Sequence, residues 1–139
     1  MLFQTQLARY RFEKYVLEIA IATRELGGVA SRPDTYQFLP PTDSWSFPKY
    51  PARTAILPPD VDLVAALKAF IVANKLLLTE PDCWLGNWIN PQTDHFYLDV
   101  ATACADLDQA RRIALEVSAR EGRKIVALYN SKRKETVYL

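Results

Sequence analysis

Five residues around one short turn carry the most varied chemistry in the chain. Trp84, Trp88, His95, Tyr97 and Asp99 all lie within CWLGNWINPQTDHFYLDV, residues 83–100. Indoles and phenols offer flat apolar faces with one polar handle each, and a carboxylate offers an acceptor or an anion. Strand register decides whether they meet. If Pro91–Asp94 form a four-residue loop, Asn90 lies opposite His95 and Trp88 opposite Tyr97. A two-residue loop keeps the same faces, whereas a three-residue loop mixes them. In the preserved register Leu85, Ile89, Phe96, Leu98 and Val100 share one face, which is core. Trp84, Trp88, His95, Tyr97 and Asp99 share the other, with Gly86 leaving a gap between the tryptophans. That second face is a candidate ligand or partner surface, flat rings around a polar anchor. The competing expectation is a sheet covered on both faces, in which the same rings are simply buried and Asp99 accepts from one of them.

The sequence assigns no catalytic residue and no metal site. His95 is the only histidine, and with Asp94 and Asp99 alone it makes a poor zinc site. As a general base it lacks a nucleophile, because Cys83 lies a strand length away. An enzyme centred on His95 and Asp99 is therefore the least supported function. The carboxylates Glu80, Asp82, Asp94 and Asp99 are spread along the hairpin rather than gathered as in a nuclease. No phosphate-binding, dinucleotide-binding, nucleophile-elbow or metalloprotease pattern occurs, and four glycines leave little for a phosphate loop. No cofactor is expected.

A second set of residues suggests nucleic acid. From Glu80 to Asp108 there are six acidic residues and no Lys or Arg, while from Gln109 to Lys134 there are eight basic residues and two acidic. Lys124, Lys132, Arg133 and Lys134 beside an aromatic sheet face could hold a single strand by phosphate contacts and stacking. The plainer expectation is a solvated turn whose lysines blunt an edge strand. Opposed charge lobes would equally suit self-association.

These residues need elements to hold them. Residues 1–26 contain no Gly or Pro. Phe12, Tyr15, Val16, Ile19, Thr23 and Leu26 recur at helical spacing, and Gly27-Gly28 supplies a stop. An alternating reading of Tyr15, Leu17, Ile19 and Ile21 as a strand is outweighed by the length of the uninterrupted stretch. Residues 27–60 hold seven of the nine prolines, interleaved with Tyr36, Phe38, Trp45, Phe47 and Tyr50. They read as an extended wrap over the domain itself or over a partner. Asp60 is placed to cap a helix carrying Leu63, Leu67, Phe70, Ile71, Asn74 and Leu78 on one face. Strands Trp84–Ile89 and Phe96–Val100 follow. Asp106 and Gln109 then form a capping box for a helix to about Glu121, ended by Gly122. Ile125–Tyr129 and Thr136–Tyr138 form a last hairpin.

The order from residue 83 is ββαββ. The runs GNWINPQTDHFYLDV, DLDQARRIAL and GRKIVALYN, within residues 83–139, resemble a small ββαβ module of uncharacterised bacterial phage and mobile-element proteins. The resemblance implies a bacterial or phage context and no particular activity.

Length and composition bound the rest. At 139 residues, half of them apolar, the chain suits one domain over 1–139, with a core that needs no disulfide. Its segments are the helix 1–26, the Pro-rich stretch 27–60 and an α-ββαββ unit over 61–139. Cys83 and Cys104 read as reduced thiols of a cytoplasmic protein, and MLFQTQLARYRFEK does not read as a signal peptide. Lys68 and Lys75 interrupt the longest apolar stretch, which argues against a membrane span. A formal charge of +1 gives no global pull toward nucleic acid or membrane. The expected fold is α+β: a small, mostly antiparallel sheet of about four strands, two or three helices and a Pro-rich extended segment. The expected function is a non-enzymatic binding or protein-interaction module, with a protein partner or a second copy of itself. Single-stranded nucleic-acid binding is the alternative.

Overall fold

The apolar stripe of the first helix sets how the chain packs. The computed structural model describes residues 2–139, with side chains from residue 4 onward. Helix α1 (Leu2–Leu26) buries Tyr15, Val16, Ile19 and Thr23, four of the six stripe residues, and half-buries Phe12. Leu26 instead remains 69% exposed at the helix end. Gly27 has φ +79° and its N–H bonds the Thr23 carbonyl, a left-handed stop that glycine adopts without strain.

The Pro-rich stretch departs from expectation. The extended wrap is instead built into the sheet as four short strands, β1 (Gly28–Arg32), β2 (Gln37–Phe38), β3 (Trp45–Pro48) and β4 (Ala55–Leu57). The prolines sit where no ladder donor is needed. Pro48 ends β3, and the next N–H, Lys49, bonds the Val100 carbonyl instead. Trp45 and Phe47 are buried as self-packing requires, while Tyr36 and Phe38 stay exposed.

Helix α2 (Leu63–Ala73) is capped by Asp62, whose Oδ1 accepts from Ala65 N at 3.1 Å, and not by Asp60. Pro58 and Pro59 hold the chain in a turn through Val61, so Asp60 falls two residues short of the cap position. Leu63, Leu67, Phe70 and Ile71 are buried as expected, with Asn74 and Leu78 below them. Strand β5 (Trp84–Ile89) has the expected bounds, while β6 (Phe96–Cys104) runs four residues further than expected. Helix α3 (Leu107–Glu121) starts at the Asp106 cap and ends at left-handed Gly122. Strands β7 (Ala127–Asn130) and β8 (Glu135–Tyr138) close the chain.

The fold class is α+β: the described residues form three α-helices and an eight-stranded antiparallel sheet, ordered β2-β1-β5-β6-β3-β7-β8 with β4 off this path. Strand β4 shares with β3 the far edge of β6, pairing at residues 96–98 while β3 pairs at 101–104. All three helices lie on one face. There α1 and α2 cover Leu85, Phe96, Leu98 and Val100, and α3 covers Trp45, Phe47 and Leu128. No helix among the described residues is long and apolar enough to cross a membrane.

The other face is the inside of a curl. Strands β1 and β7 stand four places apart in the sheet, roughly 19 Å if it were flat. Yet the Tyr129 ring on β7 comes within 3.6 Å of where a Cβ on Gly28 of β1 would sit. The Tyr138 hydroxyl of β8 likewise reaches Asn90 Oδ1 beyond the end of β5, at 3.4 Å. The sheet is therefore a half-barrel with its helices outside.

Candidate functional site

The hairpin β5–β6 has the register of the four-residue loop. Trp84 pairs with Ala101, Gly86 with Asp99 and Trp88 with Tyr97, and Asn90 N–H bonds the His95 carbonyl. Asn90 Oδ1 accepts from Gln92 N, and Asp94 takes φ +60°, a left-handed turn that Asp tolerates. Trp84, Trp88 and Asp99 consequently face the inside of the curl.

They line a cavity of about 380 Å³. Its floor is made of small residues, Gly28, Ala30, Gly86 and Ala101. The glycines have little room for a side chain: a Cβ on Gly86 would lie 3.0 Å from the Ala101 Cβ, a tight contact. On Gly28 it would meet the Asn87 carbonyl at 3.3 Å, with the Trp88 and Tyr129 rings at 3.7 and 3.6 Å. Two rings thus converge over one glycine. Trp84 and Ser46 add to the wall, and the Pro-rich segment Phe38-Leu39-Pro40-Pro41 forms a rim tied down by Leu39 N–H on the Ala30 carbonyl.

The polar equipment is sparse and open. Among the described residues, the Trp84 and Trp88 indole N–H groups and the Tyr129 hydroxyl make no hydrogen bond, and none of the three is sealed from solvent. Asp99 is the only charged residue on the wall. Its Oδ1 accepts from Thr54 Oγ1 at 2.7 Å, and its Oδ2 has no partner. Burial pushes its carboxyl up to about 6, against the opposing effects of the Thr54 bond and the Arg123 charge. Burial also raises the Tyr129 phenol.

The other expected residues stand apart. Tyr97 backs Trp88 in an edge-to-face contact, centroids 5.3 Å apart, and lines a small neighbouring cleft with Asp99, Arg123 and Lys124. His95 folds its Nδ1 onto the Thr93 carbonyl at 2.9 Å and lines neither space, so the fold does not bring His95 to Asp99. In the basic loop, Arg133 grips Asp43 with two bonds, Nε to Oδ1 at 2.8 Å and Nη2 to Oδ2 at 3.2 Å. That bond, with a second from Asn130, holds the Asp43 carboxyl below its usual range. Lys132 and Lys134 remain exposed on the same turn, and Lys124 is exposed in the α3–β7 connection.

Among the four carboxylates read as scattered, Glu80 and Asp82 do converge. With the Cys83 thiol they offer three ligand atoms within 4.8 Å. The Lys49 ammonium already binds both, Glu80 at 2.8 Å and Asp82 at 3.0 Å, and the Tyr50 hydroxyl also donates to Glu80. Cys83 itself is fully buried, and burial raises its thiol to about 11, which makes it a poor nucleophile.

Tyr129, the glycine–alanine floor and the rim at 38–41 were not foreseen. Alternation along β7 fixes Tyr129 opposite in direction to Leu128, but only the order β6-β3-β7 says which of the two faces the cavity. No family model, curated protein or solved structure matches the chain, so the geometry of this cavity is the ground for a functional reading.

Proposed function

We propose that the protein is a non-enzymatic binding module that holds a small, largely apolar ligand inside its half-barrel. The carrying observation is the cavity itself: about 380 Å³, walled by two indoles and a phenol whose polar atoms have no partner among the described residues. Ligand sites occupy roughly 300–1,000 Å³ and combine apolar walls with a few convergent polar groups. A closed eight-stranded barrel has room for its side chains or one small ligand. Here glycine and alanine stand where larger inward side chains would fill that room. An enzymatic reading lacks support, because His95 is engaged on its own turn and Cys83 is buried. A cytoplasmic, bacterial or phage setting, in which free Cys83 and Cys104 stay reduced, belongs to the same proposal.

The test is titration with the neutral fluorophore N-phenyl-1-naphthylamine. Saturable enhancement is expected in the wild type and not in Ala30→Phe, which fills the cavity from its floor. Equal enhancement in both proteins would sink the reading.

A second reading, pairing of two copies, is favoured by the outer face of α1. Tyr10, Leu17 and Ile21 are 62%, 52% and 47% exposed and lie within about 40° of one another, opposite the core stripe. An antiparallel pair centred between Lys14 and Leu17 sets Tyr10 against Ile21 and brings Lys14 of one copy to Glu18 of the other. Nucleic-acid binding has no comparable support, since Arg133 is engaged by Asp43.

A further inference from the structure

We infer that the ligand of this cavity is an organic cation, an aromatic or alkyl body carrying an ammonium group that Asp99 receives. The inference rests on the reading of the cavity as a ligand site and adds the chemistry of the ligand. It follows from what the wall contains and lacks. Apolar and aromatic side chains make up most of the surface, and Asp99 supplies its only charge. A wall with one carboxylate and no cation selects against anions by repulsion and favours a positive group by a charge-assisted hydrogen bond.

Three further features fit. The Asp99 side chain is fixed, because Thr54 Oγ1 holds Oδ1 at 2.7 Å, and Oδ2 is left without a partner. The Trp88 and Tyr129 rings converge over Gly28 on the same wall. Ring faces attract cations and accommodate the apolar body equally well. Finally, among the described residues no cation pairs directly with Asp99. Arg123 lines the neighbouring cleft, but it makes no ion pair with Asp99 within 4 Å and donates instead to the Ala52 carbonyl at 3.4 Å. Despite Arg123, burial keeps the carboxyl raised, so an entering cation would relieve an unmet demand for positive charge.

The affinity should therefore depend on pH. Arg123, Lys124, Tyr97 and Tyr129 are the other titratable groups around Asp99. Side chains of these types do not ordinarily change charge between about pH 5 and 8. A rise in cation affinity through about pH 6 would thus report Asp99.

The experiment is calorimetric titration of the wild type and Asp99→Asn with a matched series: phenethylammonium, neutral 2-phenylethanol and anionic 3-phenylpropionate. N-phenyl-1-naphthylamine serves as the neutral reference. The expected order is ammonium, alcohol, carboxylate, with the ammonium favoured over the alcohol by roughly ten- to hundredfold. That preference should collapse in Asp99→Asn while the neutral fluorophore still binds. A wild-type pH series provides a readout independent of the variant's folding: ammonium affinity should climb from pH 5 to 7 and alcohol affinity stay flat. If the fluorophore binds and the ammonium is no better than the alcohol, the cation assignment is wrong and the cavity reading stands. An ammonium preference that survives in Asp99→Asn also overturns the assignment. If neither fluorophore nor any member of the series binds, both readings fall together.

Discussion

The raised carboxyl of Asp99 should cost the fold stability at neutral pH, and unfolding measures that cost. A carboxyl whose folded pKa lies at about 6, against about 4 in the unfolded chain, binds its proton more tightly when folded. The folded state then holds more protons than the unfolded state between these values, so stability falls as pH rises from about 4 to 6 and stays low above. Asn keeps an acceptor for Thr54 and never ionises. Asp99→Asn should therefore be more stable than the wild type at pH 7, by about 1–3 kcal/mol, and equal to it near pH 4. Urea unfolding at the two pH values checks this, and a variant less stable at pH 7 would contradict it. A cost of that size would fit a functional site better than a structural one. At this scale the sequence was informative. Trp84, Trp88 and Asp99 were legible as one face because alternation and the Asn90-Pro91 turn are local rules. His95 shares that alternation, yet its ring was claimed by a carbonyl two residues away, a choice of rotamer that spacing does not encode.

Elements divide by how local their causes are. Helix α3 was readable end to end: Asp106 accepts from Gln109 N at 2.9 Å, and Gly122 takes the left-handed φ of 68°. Strands β1–β4 were not. Gly28 finds Trp88, Trp45 finds both Cys104 and Asn130, and Ile56 finds Tyr97, partners 41 to 85 residues away. Their many prolines argued for extended chain and were right about that much; which edges the chain would meet is a property of the whole sheet. The start of α2 lies between these cases. Asp60 and Asp62 both precede the apolar run, and the turn after Pro58 settles the choice in favour of Asp62. Asp62→Ala should cost about 1 kcal/mol, whereas Asp60→Ala should stay within about 0.5 kcal/mol of the wild type. Urea midpoints for the pair distinguish the two caps directly, and a reversed order would place the cap at Asp60 after all.

On the scale of the molecule, the fold separates two surfaces. The half-barrel curls its β1 and β7 toward each other around the cavity, while α1 packs outside on the opposite face. The core stripe of α1 faces the sheet, so Tyr10, Leu17 and Ile21 point away from both core and cavity. Large apolar side chains aligned on one helical face are more than scattered exposure requires, and a helix from another copy matches them in length and spacing. Pairing through α1 would leave each cavity open, so self-association and ligand binding should be separable. Sedimentation velocity across a hundredfold concentration range should show growth beyond the 15.8 kDa chain. Leu17→Glu with Ile21→Glu should abolish that growth, because the seam would lose its apolar contacts and a carboxylate at position 21 of each copy would be buried against Tyr10 of the other. The same double variant should bind N-phenyl-1-naphthylamine as the wild type does, since neither residue lines the cavity. A wild type that stays at one chain mass throughout would end the pairing reading. A double variant that stays monomeric but loses the fluorophore would instead mean that α1 supports the half-barrel's shape from outside, through Tyr15 on Ser31 of β1 at 2.8 Å and through the buried Thr23–Asn87 contact at 3.3 Å.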